Sequence, residues 1–143
     1  MEILEEIQGG KVYLDTNIFI YAVEAAVEYR SAVEALFELL EKGAVSAVTS
    51  ELTLAETLAK PFEVGRHDIA QVYEAMLTPS IWLSVLPIDR SILIEAARLQ
   101  AEVKLRLPDA IHIATAIAAE CPTVISNDRR IQVPPGMKLL RLR

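Results

Sequence analysis

The feature that most constrains the fold is the alternation of short apolar segments with longer helical ones. Five short segments rich in aliphatic and β-branched residues predict strands: 11–14, 44–49, 81–86, 123–125 and 137–140. Strands that alternate with one or two helices favour a mainly parallel central sheet with helices on both faces. We therefore predict a single α/β domain over residues 1–143, with a sheet of about four to five strands.

The segments between the strands carry helix signals. Ser50 and Asp89 fit N-caps, because a short polar side chain there can accept a backbone N–H of the first turn. Pro61 should end the helix that Ser50 begins, and Pro108 suits the first turn of a later one. The helices are predicted at about 18–28, 31 to 43, 50 to 61, 68–77, 89 to 104 and 108–119.

Charge and cysteine content limit the possible partners and compartment. The net charge is −6, so a nucleic-acid ligand would need bound cations and a local Lys/Arg patch. Cys121 is the only cysteine, which excludes an intramolecular disulfide and a cysteine-rich zinc site. Residues 1–6 are acidic and unlike a signal peptide, and no apolar run is long enough to span a membrane. We expect a cytoplasmic protein without a membrane partner.

Four carboxylates occupy positions that can converge. Asp15 follows the first predicted strand, and Asp128 follows the fourth. Asp109 lies at the start of a helix, and Glu56 lies within the helix after the second strand. Ligands of parallel sheets bind beyond the carboxyl ends of the strands. A carboxylate cluster there would attract Mg²⁺ or Mn²⁺, which prefer oxygen ligands and promote phosphodiester hydrolysis.

Each of these acids also has a purely structural interpretation. Asp15 could cap the helix that follows it, and Asp109 could be a first-turn acid favoured by the helix dipole. Asp128 could be a turn residue, and Glu56 a solvated helix residue, although its neighbours are mostly apolar. Spacing alone leaves both interpretations open.

Two further polar residues serve as comparisons. Asp89 also follows a strand, but its place before a helix indicates an N-cap rather than a site residue. His112 lies three residues after Asp109, on the same helical face. Because it stands between Ile111 and Ile113, packing or hydrogen bonding in the core is favoured over catalysis.

Four short motifs follow one another along the chain: Leu14-Asp15-Thr16-Asn17, Thr53-Leu54-Ala55-Glu56, Leu107-Pro108-Asp109-Ala110-Ile111-His112-Ile113-Ala114-Thr115-Ala116 and Ser126-Asn127-Asp128-Arg129-Arg130. In their order and in the helices between them they resemble the motifs of PIN domains. The resemblance covers essentially the whole chain, and within the superfamily the chain looks most like the VapC toxins of bacterial and archaeal toxin–antitoxin pairs.

The resemblance implies an endoribonuclease that depends on Mg²⁺, with Mn²⁺ as a possible substitute. The residues that match the family's acidic metal-binding and catalytic positions are Asp15, Glu56, Asp109 and Asp128. Asn17 and Ser126 match supporting positions. The candidates for contact with RNA phosphates are Arg129, Arg130, Lys104 and Arg106, whose alternative role is that of solvated surface charges.

The resemblance also implies a homodimer and a cognate antitoxin protein as partner. Apolar side chains on the first two helices support a helical interface, unless the core takes them up: Ile18, Phe19, Tyr21, Val33, Phe37 and Leu40. Two other function classes stay open. One is a non-catalytic PIN-like scaffold or RNA-binding module. The other is an aspartate-based phosphoryl-transfer enzyme with Asp15 as nucleophile, although a phosphatase of that kind would want a second Asp at Asn17.

Overall fold

The structure is a computed structural model that describes residues 5–7 and 10–143. Its sheet has five strands in the order β3-β2-β1-β4-β5, and every neighbouring pair is parallel. The strands are β1 Lys11–Leu14, β2 Ser46–Ser50, β3 Leu83–Leu86, β4 Thr123–Ile125 and β5 Lys138–Leu140. The predicted α/β class with a mainly parallel sheet is therefore confirmed.

The strands are connected by helices whose positions follow the sequence prediction closely. The helices are α1 Thr16–Glu24, α2 Arg30–Glu41, α3 Glu51–Glu63, α4 His67–Met76, α5 Arg90–Val103 and α6 Leu107–Ala118. The predicted helix over 18–28 is shorter than expected, because Ala25 adopts a left-handed backbone with φ 52°. A 3₁₀ turn at Val27–Tyr29 then leads into α2.

Both predicted N-caps are confirmed, and one predicted helix end is wrong. The side chain of Ser50 accepts from Leu52 N at 3.0 Å, and that of Asp89 accepts from Ile92 N at 3.0 Å. Pro61 lies inside α3 instead of ending it. A proline in the last turn removes one backbone hydrogen bond. Here the Pro61 ring is buried, and the helix runs two residues further to Glu63. The Pro61 carbonyl accepts from Arg66 N at 2.8 Å in the turn that closes the helix.

The core lies on both faces of the sheet, because successive side chains of a strand point to opposite faces. Val12 and Leu14 belong to the cluster that α1 and α2 cover, and Tyr13 belongs to the cluster under α5 and α6. The first cluster takes up the apolar side chains of α1 and α2: Ile18, Phe19, Val33 and Leu40 are buried in it, and Tyr21 and Phe37 pack against it partly buried. These residues therefore do not form a free apolar surface.

Two expectations concern the chain's location. The signal-peptide prediction concerns residues 1–6, of which residues 1–4 lie outside the described residues. Among the residues that the structure describes, no helix combines the length and apolar character needed to cross a membrane.

Candidate functional site

The carboxyl ends of all five strands lie at one edge of the sheet, because every neighbouring pair is parallel. Asp15 follows β1 directly, and Ser126 follows β4. The two segments meet there, since Asp15 N donates to Ile125 O at 3.1 Å. Parallel pairing of β1 and β4 thus brings the first and fourth motifs into contact.

Asp15 caps α1 and lies at the carboxyl edge of the sheet. Its side chain is buried, and Oδ1 accepts from Thr16 N at 2.8 Å. Its second oxygen, Oδ2, accepts from Ser126 Oγ at 2.5 Å. The capping interpretation from the sequence is therefore correct, and it does not exclude the site interpretation, because a buried carboxylate with both oxygens bonded is also rigidly placed.

Glu56 is held from two other elements. Thr16 Oγ1 of α1 donates to its Oε1 at 2.6 Å, and His112 Nε2 of α6 lies 2.8 Å from the same oxygen. Burial pushes the pKa of Glu56 up, but the hydrogen bonds from His112 and Thr16 outweigh it, so the pKa lies below its ordinary value. Glu56 is therefore a bonded carboxylate rather than a freely solvated one.

His112 takes a larger part in this network than the sequence indicated. Its ring is 2 % exposed, and its Nδ1 lies 2.6 Å from the Tyr13 hydroxyl. Its Nε2 also lies 3.2 Å from Thr16 Oγ1 and 3.5 Å from Asp15 Oδ1. Burial lowers the pKa of His112, but Glu56 and Asp15 outweigh it and the pKa is raised. The core interpretation and contact with the acidic site both hold for this residue.

Asp109 and Asp128 share one arginine. Arg106 donates to Asp109 from Nε at 3.1 Å and from Nη2 at 3.4 Å, and its Nη2 is 3.8 Å from Asp128 Oδ2. Burial, together with the charges of Asp128 and Asp15, raises the pKa of Asp109 although Arg106 opposes the shift. Burial also pushes up the pKa of Asp128, but hydrogen bonds from Arg130 outweigh it and the pKa is lowered.

The two supporting residues occupy different places. Ser126 Oγ donates to Asp15 Oδ2 and accepts from Asp128 N at 3.1 Å, so it links the first and fourth acidic positions. Asn17 accepts from Asn127 N at 3.4 Å through its Oδ1. Asn17 therefore contacts the loop after β4, which carries Asp128.

Of the candidate phosphate-contacting residues, Arg106 and Arg130 contact the acids, and one further arginine was missed. Arg129, Arg130 and Lys104 are exposed, and Arg130 pairs with Asp128 at 3.2 Å. Arg141 Nη1 donates to the carbonyls of Ser126 at 3.0 Å and Asp128 at 3.1 Å. The pairing of β4 with β5 sets Ile125 beside Leu140, so the next residue pair is Ser126 and Arg141. Correct alignment of these two strands would have found Arg141.

The donor chemistry of the cluster fits a hard divalent cation. Asp15 and Asp109 are buried, and Asp128 is close enough to Asp109 for its charge to raise the Asp109 pKa. Like-charged carboxylates in such an arrangement favour a bound cation with oxygen ligands. In the described part of the chain, however, no three His, Cys, Asp or Glu side chains are arranged so that they could hold a metal ion as they stand. Arg106, Arg130 and His112 are instead the charge partners of the acids.

Comparisons with known proteins agree with this architecture. The family model described as "PIN domain" matches residues 12–136. A comparison with curated protein sequences gives no significant match.

Three solved structures illustrate the structural similarity. DNA-bound VapBC from Salmonella typhimurium has a TM-score of 0.71 at 21% identity, over 92% of this chain and 97% of that one. VapBC2 from Rickettsia felis, bound to a promoter DNA fragment, has a TM-score of 0.69 at 18% identity, over 93% and 99%. A toxin–antitoxin complex from Klebsiella pneumoniae has a TM-score of 0.66 at 24% identity, over 90% and 95%. At these identities the likeness shows the fold.

Proposed function

The chain belongs to the PIN-domain family, and we propose that it is a metal-dependent endoribonuclease, the toxin of a toxin–antitoxin pair. The observation that carries the proposal is the network at the carboxyl edge of the sheet. Ser126 links Asp15 to Asp128, Arg106 links Asp128 to Asp109, and His112 lies between Asp15 and Glu56. Four acids from four parts of the sequence thus belong to one connected cluster.

The residues proposed to hold Mg²⁺ or Mn²⁺ are Asp15, Asp109 and Asp128, with Glu56 either as a ligand or as a base. A bound divalent ion supplies positive charge for the transferring phosphoryl group and lowers the pKa of water. The chain's own residues supply the rest. Ser126 keeps Asp15 fixed. In the role of base, Glu56 accepts the proton of the attacking water. Asn17 steadies the loop that carries Asp128.

The cations around the cluster are proposed to contact RNA phosphates. Lys104 and Arg106 stand before α6, and Arg129 and Arg130 follow the fourth acid. Arg106 connects the two segments through its 3.8 Å approach to Asp128. Such a local patch lets a chain of net charge −6 bind a polyanion, because phosphate contacts act locally when salt screens distant charges.

Two protein partners complete the proposal, and we propose that the chain acts in the cytoplasm. A cognate antitoxin is supported by the fold's likeness to chains of VapBC complexes. A homodimer is supported by apolar side chains that are about half exposed: Leu93 and Ile94 of α5, and Leu107 at the start of α6. Size-exclusion chromatography with light scattering on the isolated chain tests the dimer, and a monomer would remove it from the proposal.

The first experiment is cleavage of a mixed cellular RNA pool with Mg²⁺ or Mn²⁺. Wild type should give discrete products that disappear with EDTA, and Asp15→Asn should abolish them while leaving the circular dichroism spectrum unchanged. Asp89→Asn is the matched control, because it makes the same change at an acid that only caps α5, and Asn also caps well. Undiminished cleavage by Asp15→Asn would refute the assignment. No cleavage by folded, metal-loaded wild type would favour the non-catalytic scaffold.

A further inference from the structure

A buried polar pair connects the second layer of the core to the acidic cluster. Tyr13 of β1 and His112 of α6 are 0 % and 2 % exposed. The Tyr13 hydroxyl is 2.6 Å from His112 Nδ1, and His112 Nε2 is 2.8 Å from Glu56 Oε1. A line of hydrogen bonds therefore runs from the middle of the sheet to one of the proposed catalytic acids.

The chemical nature of the partners decides which atom donates and which accepts in each of these hydrogen bonds. Carboxylate oxygens of Glu56 and Asp15 only accept, so His112 Nε2 must carry the hydrogen. In a neutral imidazole Nδ1 then accepts, and the Tyr13 O–H donates to it.

The bonds to Glu56 all fall on one of its oxygens. Thr16 Oγ1 at 2.6 Å and His112 Nε2 at 2.8 Å both contact Oε1. Among the described residues, no donor forms a hydrogen bond with the second Glu56 oxygen, Oε2. One oxygen is thus fixed by two donors, while the other remains for water, metal or substrate.

We propose that Tyr13 and His112 are positioning residues for Glu56. Tyr13 fixes the Nε2–H tautomer of His112, and His112 fixes the orientation of the Glu56 carboxylate. Neither residue touches the substrate, so their effect on the reaction is transmitted through Glu56. The inference rests on the proposed nuclease function, but its structural half is tested without any cleavage.

The structural half is tested by NMR of the imidazole nitrogens. The chain has only two histidines, so a long-range ¹H–¹⁵N spectrum contains His112 and His67, which is exposed at the start of α4 and serves as a reference. At a pH above the raised pKa of His112, the wild-type ring should show the neutral Nε2–H pattern, and Tyr13→Phe should shift it while His67 stays unchanged. A wild-type Nδ1–H or doubly protonated pattern, or no change in Tyr13→Phe, would overturn the proposal.

The functional half is tested by kinetics with a matched pair of tyrosine variants. Tyr13→Phe should lower kcat roughly 10- to 100-fold, the usual effect of losing a residue that orients a site ligand, with KM for RNA unchanged. Tyr73→Phe is the control, because Tyr73 is also 0 % exposed and its hydroxyl donates to Glu24 at 2.6 Å, outside the cluster. Tyr73→Phe should keep the wild-type kcat. Equal losses in both variants would indicate general destabilisation and overturn the proposal.

A second pair of variants covers the case in which Tyr13→Phe folds poorly. His112→Gln keeps an N–H donor for Glu56, and His112→Leu removes it. His112→Gln should retain at least tenfold more kcat than His112→Leu, and equal activities would contradict the positioning role. If neither wild type nor Tyr73→Phe cleaves RNA, the proposed function fails, and the NMR result still decides the structural half.

Discussion

Replacing Arg106 by Gln should strengthen metal binding and weaken the metal-free fold. Arg106 donates twice to Asp109, which is 4 % exposed, and approaches Asp128 at 3.8 Å. It therefore supplies the positive charge that a bound cation would otherwise supply. Arg106→Gln removes that charge and keeps a polar side chain of moderate length.

The expected size follows from the geometry. Two unit charges about 4 Å apart attract by about 4 kcal/mol at an effective dielectric constant of about 20. The Arg106 side chain is 50% exposed, so solvent screening reduces the usable part to about 1 kcal/mol. We expect Mn²⁺ affinity to rise about fivefold, since about 1.4 kcal/mol corresponds to a factor of ten. The melting temperature of the metal-free variant should fall by about 2–4 °C.

Isothermal titration with Mn²⁺ and thermal unfolding measure the two effects. Arg66→Gln is the control, because Arg66 makes a similar two-bond pair with Asp68 on the surface. Its Mn²⁺ affinity should equal that of wild type. Unchanged or weaker Mn²⁺ binding by Arg106→Gln would show that Arg106 does not compete with the ion. An equal rise in the Mn²⁺ affinity of Arg66→Gln would show that the effect comes from the change in net charge alone.

Two further predictions concern the fold that supports the site. Ile113→Ala should lower the free energy of unfolding by about 2–5 kcal/mol, because Ile113 is 0 % exposed, whereas Ile117→Ala on the same helix should cost below about 1 kcal/mol. Urea titration measures both, and equal losses would contradict the assigned core. Cys121 is 2 % exposed, and burial raises its pKa to about 11, although Lys11 opposes the shift. At pH 8 roughly one thiol in a thousand is ionised, so Ellman's reagent should react only after unfolding in urea; rapid reaction of the native protein would refute the burial.

The sequence predicts those site residues whose positions follow from chain order. Asp15 and Asp128 could be placed because Asp15 directly follows β1, Asp128 lies three residues after the end of β4, and parallel strands end at a common edge. Asp109 could be placed because Pro108 marks the first turn of α6. In each case a local signal and one rule of sheet topology were sufficient.

The sequence could not predict the partners that come from other elements. The contact of Tyr13 with His112 depends on which face of β1 is covered by α6, and the two residues are 99 positions apart in the sequence. Arg141 depends on the alignment of β5 with β4, which the short strands do not specify. Pro61 is the opposite case. The local signal predicted a helix end there, but the Pro61 ring is buried and the helix continues to Glu63.

The partners of the four acids divide according to their exposure. Three of the partners are buried: Ser126, Tyr13 and His112. Ser126 contacts Asp15, His112 contacts Glu56, and Tyr13 reaches Glu56 only through His112. Arg106 and Arg130 have side chains that are 50% and 63% exposed, and they pair with Asp109 and Asp128.

Exposed ion pairs contribute little and exchange easily, whereas buried hydrogen bonds are costly to break. The buried partners are therefore suited to hold Asp15 and Glu56 in place. In the proposed function, a bound cation would replace the exposed arginines as the charge partner of Asp109 and Asp128, and the arginines would then contact phosphate. Each of the two buried acids, Asp15 and Asp109, already has a hydrogen-bonding partner within the chain, which offsets the cost of burying its charge.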